Sequence, residues 1–381
     1  VPLAVGEPLD RVDGRLKVTG RAPYTADQKI PNVAHAVLVT SAIARGRIVS
    51  IDTTVADRVP GTLTVLTHKN KLKLAKDPTQ RDPSSPTDRA LQVLQTDRIY
   101  YGGQPIALAV AETLEAAQEA ASHVIVRYEE QKPTVTLAGR KGESYVPEKA
   151  GGAGDPGTSN RGDTQQGLAS ASQKLDEVYG TAFHTHSPME PHSTIAVWDG
   201  PDKLTLYDTS QGIFGDRKRV AELLGLQPEN VRVISLYLGG GFGSKGPTWS
   251  HTVICALAAR QVNRPVKLVL RRPQMFGPVG NRSQTLQSIS AGATQDGKLT
   301  ALSNETLSHT STMDEFTETA TLPTRMLYSV PNNFTVQRLV RPISEPRPIP
   351  ARPGRRPERS RLKLPWMRWP TSSGWILLSS G

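Results

Sequence analysis

The sequence predicts an α+β chain of two domains, and three observations predict it. Between Gln104 and Tyr128 an apolar run, an alanine-rich helical stretch and a second apolar run follow one another, which is a strand–helix–strand unit on a sheet. From Lys132 to about Ser172 the chain turns to Gly, Pro, Ser and charge, the composition of a boundary. Beyond it short strands outnumber helices, and Gln284–Thr294 and Lys298–Ser308 flank Asp296-Gly297, the strongest short hairpin signal present. At 381 residues the chain is too long for one small domain, and 37% hydrophobic residues suffice to build sizeable cores.

In chain order, β-branched and apolar residues between turn formers predict strands at Val33–Thr40 and Thr62–Thr67. Leu72–Leu91 is polar and Pro-rich, hence a loop. Gln104–Ala111 reads as a strand, Thr113 as the cap of a helix to about His123, and Val124–Tyr128 as a second strand. The first domain is expected over 1–131 and a Gly/Pro-rich linker over 132–175, with Gly151–Gly157 its most flexible piece. The second domain, 176–341, opens with strands around Val178–Thr185, Thr194–Trp198 and Lys203–Asp208. Asp216–Leu224 has helical spacing and stops at Gly225, the expected left-handed cap. Val231–Leu238 reads as a buried strand running into Gly239-Gly240-Gly241-Phe242-Gly243-Ser244-Lys245. Ser250 is placed to cap a helix through Val262, and Pro265–Leu270 is another strand. No internal repeat is visible.

The net charge of +11 suggests nucleic acid until it is located. Residues 342–381 hold eight Lys/Arg against two Asp/Glu, so more than half of the excess sits in the last tenth of the chain. That segment also has eight of the 30 prolines and no helical or strand period, which predicts an irregular basic tail. With aromatics at 5%, a basic nucleic-acid-binding protein is the weaker class. No run of about 18 apolar residues exists for a membrane-spanning helix. The chain opens at Val1 without the charged and apolar regions of an export signal, and compartment is left open. A single cysteine, Cys255, supports neither an internal disulfide nor a thiolate zinc site nor an iron–sulfur cluster, each of which needs several sulfurs.

The glycine run is the first candidate for chemistry. Residues without Cβ let a backbone approach a flat or phosphorylated ligand and direct consecutive N–H groups at its anionic oxygens. The run lacks the spacing of a dinucleotide fingerprint or a Walker loop, and a plain tight turn is the alternative. Phe242 amid the glycines suits a stacking wall. His184, His186, Glu190 and His192 fall around Pro188-Met189-Glu190-Pro191; a continuing strand would align the histidines, but the prolines interrupt it. Pocket-lining or packed histidines are preferred, and no metal ligand is assigned. Gln211, in Thr209-Ser210-Gln211-Gly212 between a strand and a helix, can offer its amide NH₂ to an oxo or carbonyl group. Cys255 reads as a packed small hydrophobe in an apolar helix.

Taken together these pieces resemble the large, molybdenum-binding subunits of the xanthine dehydrogenase/aldehyde oxidase family over about residues 6–341. The carriers are Arg11-Val12-Asp13-Gly14 with Lys17-Val18-Thr19-Gly20, Ile51-Asp52-Thr53, Pro60-Gly61 and Gly103–Thr113. After the linker come His186-Ser187-Pro188-Met189-Glu190-Pro191-His192, Thr209–Gly212 and the glycine run, in the family's order. The resemblance implies an α/β hammerhead domain followed by an incomplete molybdopterin-binding α+β domain. It also implies molybdenum on molybdopterin, as the cytosine dinucleotide in many bacterial members, held at Gln211, Gly240, Gly241, Phe242 and Gly243. Gln211 and Phe242 would stand at the reaction centre, with Glu190 and Phe242 lining the substrate pocket.

In that family a molybdenum-bound hydroxide attacks an aldehyde or heterocycle carbon while hydride passes to a sulfido ligand, and electrons leave through iron–sulfur and FAD subunits. An acidic residue follows the loop lysine in purine-oxidising relatives, whereas Gly246-Pro247 follows Lys245 here. Aldehyde oxidation is therefore the expected activity, with N-heterocycle hydroxylation or a non-catalytic fragment as alternatives. Family members run several hundred residues further and place the proton-accepting glutamate there, so the chain alone is expected to be inactive. After Arg341 the resemblance stops in this reading frame; read one base earlier, stretches within 351–369 can encode family-like sequence, which makes 342–381 a frameshift product in this reading.

Overall fold

One seven-stranded sheet draws its strands from both ends of the sequence. The computed structural model describes residues 6–341 apart from 83, 84, 86, 87, 134, 135, 138 and 151–154. The expected irregular tail, and most of the piece expected to be most flexible, lie outside the described residues. The first half comprises α1 (Gly14–Val18), β1 (Ala34–Thr40), β2 (Gly46–Asp52), β3 (Thr62–Thr67), β4 (Arg98–Ile99), β5 (Pro105–Ala111), α2 (Leu114–Ser122) and β6 (Ile125–Glu130). Thr113 caps α2 as expected, its hydroxyl accepting from the Ala116 amide at 3.1 Å. β5 is buried at every position because both its faces are covered. Leu108 and Val110 join the main apolar core, whereas Ala109 and Ala111 pack with Ala120 and Ala117 of α2. Alanine on that face lets the helix lie close. β2, unmarked by the composition, pairs with β4 and β6 in a separate three-stranded sheet.

The segment expected as a linker is structured along much of its length. It holds β7 (Lys149–Ala150), β8 (Asp155–Pro156), β9 (Thr158–Arg161) and α3 (Thr164–Ala169). Asp163 caps α3 by accepting from the Gln166 amide at 2.9 Å. β10 (Gln173–Thr181), β11 (Ser193–Asp199), β12 (Lys203–Asp208), α4 (Ile213–Leu224) and β13 (Val231–Ile234) follow, then α5 (Ser250–Val262), β14 (Val266–Val269), β15 (Thr285–Ala293), β16 (Leu299–His309), α6 (Leu322–Met326) and β17 (Asn332–Val340). Gly225 ends α4 at φ 70°, the left-handed conformation its lack of Cβ permits. β15 and β16 form the hairpin read from Asp296-Gly297, and with β10, β17 and β9 they make a five-stranded sheet. No described helix is long and apolar enough to cross a membrane.

The seven-stranded sheet has the order β13-β12-β11-β14-β1-β5-β3. Its centre is the parallel pair β1 and β14, registering Ala34 with Val266 and Ala36 with Leu268. The sheet therefore runs across the boundary the composition suggested. The core does likewise, since Leu38, Leu66 and Leu108 cluster with Ile254, Leu257 and Leu268. α5 is buried from Ser250 to Ala259 and apolar from Val253 to Ala259, as a helix with both sides covered must be. Ser250 is its first residue and not its cap; the hydroxyl instead accepts from the Gln92 amide at 3.1 Å, tying in the 72–91 loop's end. Shortening a fully buried side chain such as Ile254 to Ala costs about 2–5 kcal/mol.

Candidate functional site

The expected strand Val231–Leu238 ends at Ile234, and that early end creates the site. β12, its only neighbour among the described residues, runs out at Asp208, so beyond the Tyr207–Ile234 pair the described residues offer no ladder partner. The chain leaves the sheet, exposes Leu236 and enters the glycine loop 239–245. Gln211 lies across that loop. Its backbone N–H donates to the Lys245 carbonyl at 2.7 Å, and its Oε1 accepts from the Gly243 and Lys245 amides at 3.1 and 3.2 Å. With Oε1 so anchored, the amide orientation is fixed by its donors, and Nε2 has no acceptor among the described residues.

Gly240 and Gly243 adopt φ of +91° and +97°, and Phe242 between them adopts φ 53°. A left-handed phenylalanine is strained by roughly 1–2 kcal/mol, and such strain persists only where the surroundings enforce it. The ring is 65% exposed, so burial of the ring does not supply the reason. The amides of Gly240, Gly241 and Phe242 have no acceptor among the described residues. Three successive donors with alternating backbone hand form a concavity suited to an anionic oxygen. Gly241 is required for a different purpose than open space for a ligand: a Cβ there would stand 2.5 Å from Cδ of Gln211. Its small size seats the glutamine.

Glu190, the expected substrate-pocket residue, packs under the glycine loop. Its side chain is 9% exposed, with Oε2 accepting from the Gly239 amide at 2.7 Å and from Lys245 Nζ at 2.8 Å. The alternation that would have aligned the histidines is lost because β10 stops at Thr181 and Ser187 takes a left-handed φ of 43°. The histidines part company for the same reason. His184 bridges the backbone of Arg282, His186 is half-buried, and His192 is buried with Nε2 at 3.2 Å from Ser244 Oγ. No group of three or more metal-binding side chains occurs among the described residues. Phe242, Gly240, Gly241, Gly243 and Gln211 are thus gathered at one place, and Glu190 stands beneath them.

The composition gave no sign of the charged layer below the loop. Burial, and next the Asp216 carboxylate, push Asp208 up to about 8. It accepts from Thr194 Oγ1 at 2.5 Å and Thr252 Oγ1 at 3.2 Å, while Asp216 accepts from Thr248 Oγ1 at 2.6 Å. Burial, and next the nearby Lys245 charge, drive His251 down to about 3, and burial first of all drives His192 well below the usual range. Burial likewise lowers Lys245, against the pull of Glu190. A strand-end aspartate, Asp208, and a helix's first-turn aspartate, Asp216, each four residues from Gly212, were the available signal. Cys255 is fully buried, its Sγ 3.3 Å from the Val266 carbonyl, and burial raises its thiol far from thiolate chemistry.

Comparison with known proteins fits this geometry. A family model described as molybdopterin cofactor-binding domain matches residues 149–341, and one described as aldehyde oxidase and xanthine dehydrogenase a/b hammerhead domain matches 19–132. The chain is 41% identical over 337 residues to the aldehyde oxidoreductase molybdenum-binding subunit PaoC of Escherichia coli (strain K12), covering 88% of this chain and 44% of that protein. It is 32% identical over 308 residues to xanthine dehydrogenase of Oryza sativa subsp. japonica, covering 78% of this chain and 21% of that one. Among solved structures, the aldehyde oxidoreductase from Desulfovibrio gigas superposes with a TM-score of 0.72 at 25% identity, over 88% of this chain and 38% of that one. The chain thus spans less than half the length of these relatives.

Proposed function

The chain belongs to the aldehyde oxidase and xanthine dehydrogenase family of molybdopterin-binding oxidoreductases, and from that membership we propose that it forms the cofactor-loop part of an enzyme oxidising aldehydes to carboxylic acids. The observation that carries this reading is the pairing of Gln211 with the loop. One end of its amide is locked by two loop N–H groups, and the other is left as a directed donor beside three unpaired amides. Those groups fit a molybdenum–pterin group: Gly240, Gly241 and Phe242 offer N–H to its anionic atoms, and Gln211 Nε2 offers a donor to an oxo ligand. Held by Gly240, Gly241, Phe242 and Gln211, such a group would supply the two-electron oxidation chemistry that converts an aldehyde to its acid.

The chain's own residues bind and orient. Phe242, exposed and held in its strained conformation, supplies an apolar wall to a substrate lying against the loop. Gly246 after Lys245 leaves no carboxylate there to pair with the ring nitrogens of a heterocycle, which favours an aldehyde. The cytosine dinucleotide form of the cofactor and partner subunits carrying iron–sulfur and FAD groups belong to the same proposal. The lone buried cysteine supports the partners, since no cluster can be ligated by the described residues.

Titration of the purified chain with molybdopterin, followed by pterin fluorescence, tests the cofactor reading: saturable binding is expected, and its absence overturns it. Extending the chain to the length of its relatives, co-expressing it with candidate partner subunits and assaying with an artificial electron acceptor tests the chemistry. Aldehyde turnover is expected, reduced roughly 10²–10³-fold by Gln211→Ala if its donor faces developing charge; turnover of N-heterocycles alone would replace the substrate class.

A further inference from the structure

Lys245 is the bulkiest fully buried side chain among the described residues, and its ammonium lies directly under a loop built to receive a ligand. A buried ion pair is a poor source of stability, because apolar residues of the same volume commonly serve as well or better. What this pair does supply is connection. Glu190 Oε2 accepts from the amide of Gly239, where the loop begins, and from the side chain of Lys245, where it ends. The Glu190 amide returns a bond to the Gly239 carbonyl at 3.0 Å. Only glycine allows this approach, since a Cβ on residue 239 would fall 2.5 Å from that of Glu190. Ser244 Oγ donates to the Gly241 carbonyl at 3.0 Å, and Trp249 Nε1 donates to the Ser244 carbonyl, so the base of the loop is tied at several points. Of the five residues between the tied ends, Gly240, Gly241 and Phe242 are the three whose amides lack acceptors among the described residues.

We propose that Glu190 and Lys245 are positioning residues: their buried ion pair staples the two ends of the glycine loop, so that the Gly240, Gly241 and Phe242 amides are set as a donor array before an anionic pterin ligand arrives. The proposal rests on the molybdopterin reading for the identity of the ligand. Setting the donors in advance removes the ordering cost from the binding step, so loss of the staple lowers affinity without removing any ligand contact.

Hydrogen–deuterium exchange on the ligand-free chain and molybdopterin titration of the same variants test it together. Lys245→Met removes the charge at similar volume, and Glu190→Gln keeps an acceptor for Gly239 while removing the charge. Peptides spanning 236–246 should exchange roughly tenfold faster in Lys245→Met and by an intermediate factor in Glu190→Gln, with peptides of β5 and β16 unchanged. Pterin affinity should fall about tenfold in Lys245→Met, in step with the exchange. Wild-type exchange in both variants overturns the staple, as does faster exchange with unchanged affinity. If Lys245→Met loses its circular-dichroism spectrum, Glu190→Gln decides by the same two readouts. A wild-type chain that binds no molybdopterin sinks the cofactor reading alone, and the exchange comparison still upholds or overturns the staple.

Discussion

The two large sheets bury polar side chains in opposite ways. In the five-stranded sheet the buried polar groups are neutral and follow the strand period. Asn304, Thr306 and Ser308 on β16 share a face with Asn333, Thr335 and Gln337 on β17, whose register pairs Asn304 with Thr335 and Thr306 with Gln337. They bond one another or nearby groups, as Thr306 to Asn304 at 3.0 Å and Gln337 to Ser308 at 3.1 Å. At the open end of the seven-stranded sheet the buried groups are ionisable: Asp208, Asp216, His192, His251 and Lys245, with Glu190 beside them. A neutral ladder holds strands in register at any ordinary pH. A charged layer ties local geometry to protonation, and it occurs where the loop must keep a shape that the sheet no longer enforces.

The largest expected effect comes from leaving one of the charges alone. Lys245→Ala leaves the Glu190 carboxylate buried without its cation and should cost about 3–5 kcal/mol in urea unfolding. In the ladder, Thr335→Val strips the acceptor of Arg325 Nε, bonded at 2.7 Å, and should cost only about 1–2 kcal/mol. Equal losses at the two sites would erase the distinction between the layers.

The next effect is a pH slope. Asp208 holds its proton in the folded chain up to about 8 but loses it near 3.8 when unfolded, so its contribution is complete below the lower value and is lost as pH rises through the upper. Over the acid part of that range the depressed His192 and His251 act oppositely, because the unfolded chain gains protons there that the folded chain refuses. Between about pH 6.5 and 8 the histidines no longer oppose it, Asp216, also raised by burial, acts in the same sense, and stability should fall by about 2 kcal/mol at roughly 1.4 kcal/mol per unit. Denaturant melts at stepped pH should show this in wild type and a clearly shallower profile in Asp208→Asn. A slope unchanged in Asp208→Asn would move its source elsewhere. Smallest of all is Gln337→Leu, which forfeits the bond to Ser308 but also removes a buried oxygen without a partner, so its melting midpoint should report a change within about 1 kcal/mol.

Local chemistry was readable from the residues, and distant pairing was not. The Thr113 cap, the Gly225 stop and the Asp296-Gly297 turn each act within a few residues, so the sequence displays them whole. The same holds for the glycine run and Gln211, whose residue types announce a backbone approach and a donor. The inward turn of Glu190 depends on a left-handed Ser187 and on an amide 49 positions away, and neither is written beside it. The end of β13 at Ile234 depends on where β12 stops, although Val231–Leu238 is apolar enough to have continued. The charged layer was missed because Asp208 and Asp216 belong to two elements whose approach is set by β11 and α5.

The junction of β1 with β14 has a consequence in time. Ala34 cannot meet Val266 until the intervening chain has been made, which at about 5–20 residues per second takes roughly ten to fifty seconds. Once β5 has been made, and until β14 arrives, β1 has a neighbour on one side and an open row of N–H and C=O groups on the other, above the apolar faces of Ala36 and Leu38 that α5 has yet to cover. An open edge of this kind templates association with other strands. The nascent chain therefore passes through a vulnerable stage that its finished form conceals, and crowded ribosomes or a pause before residue 266 would lengthen it.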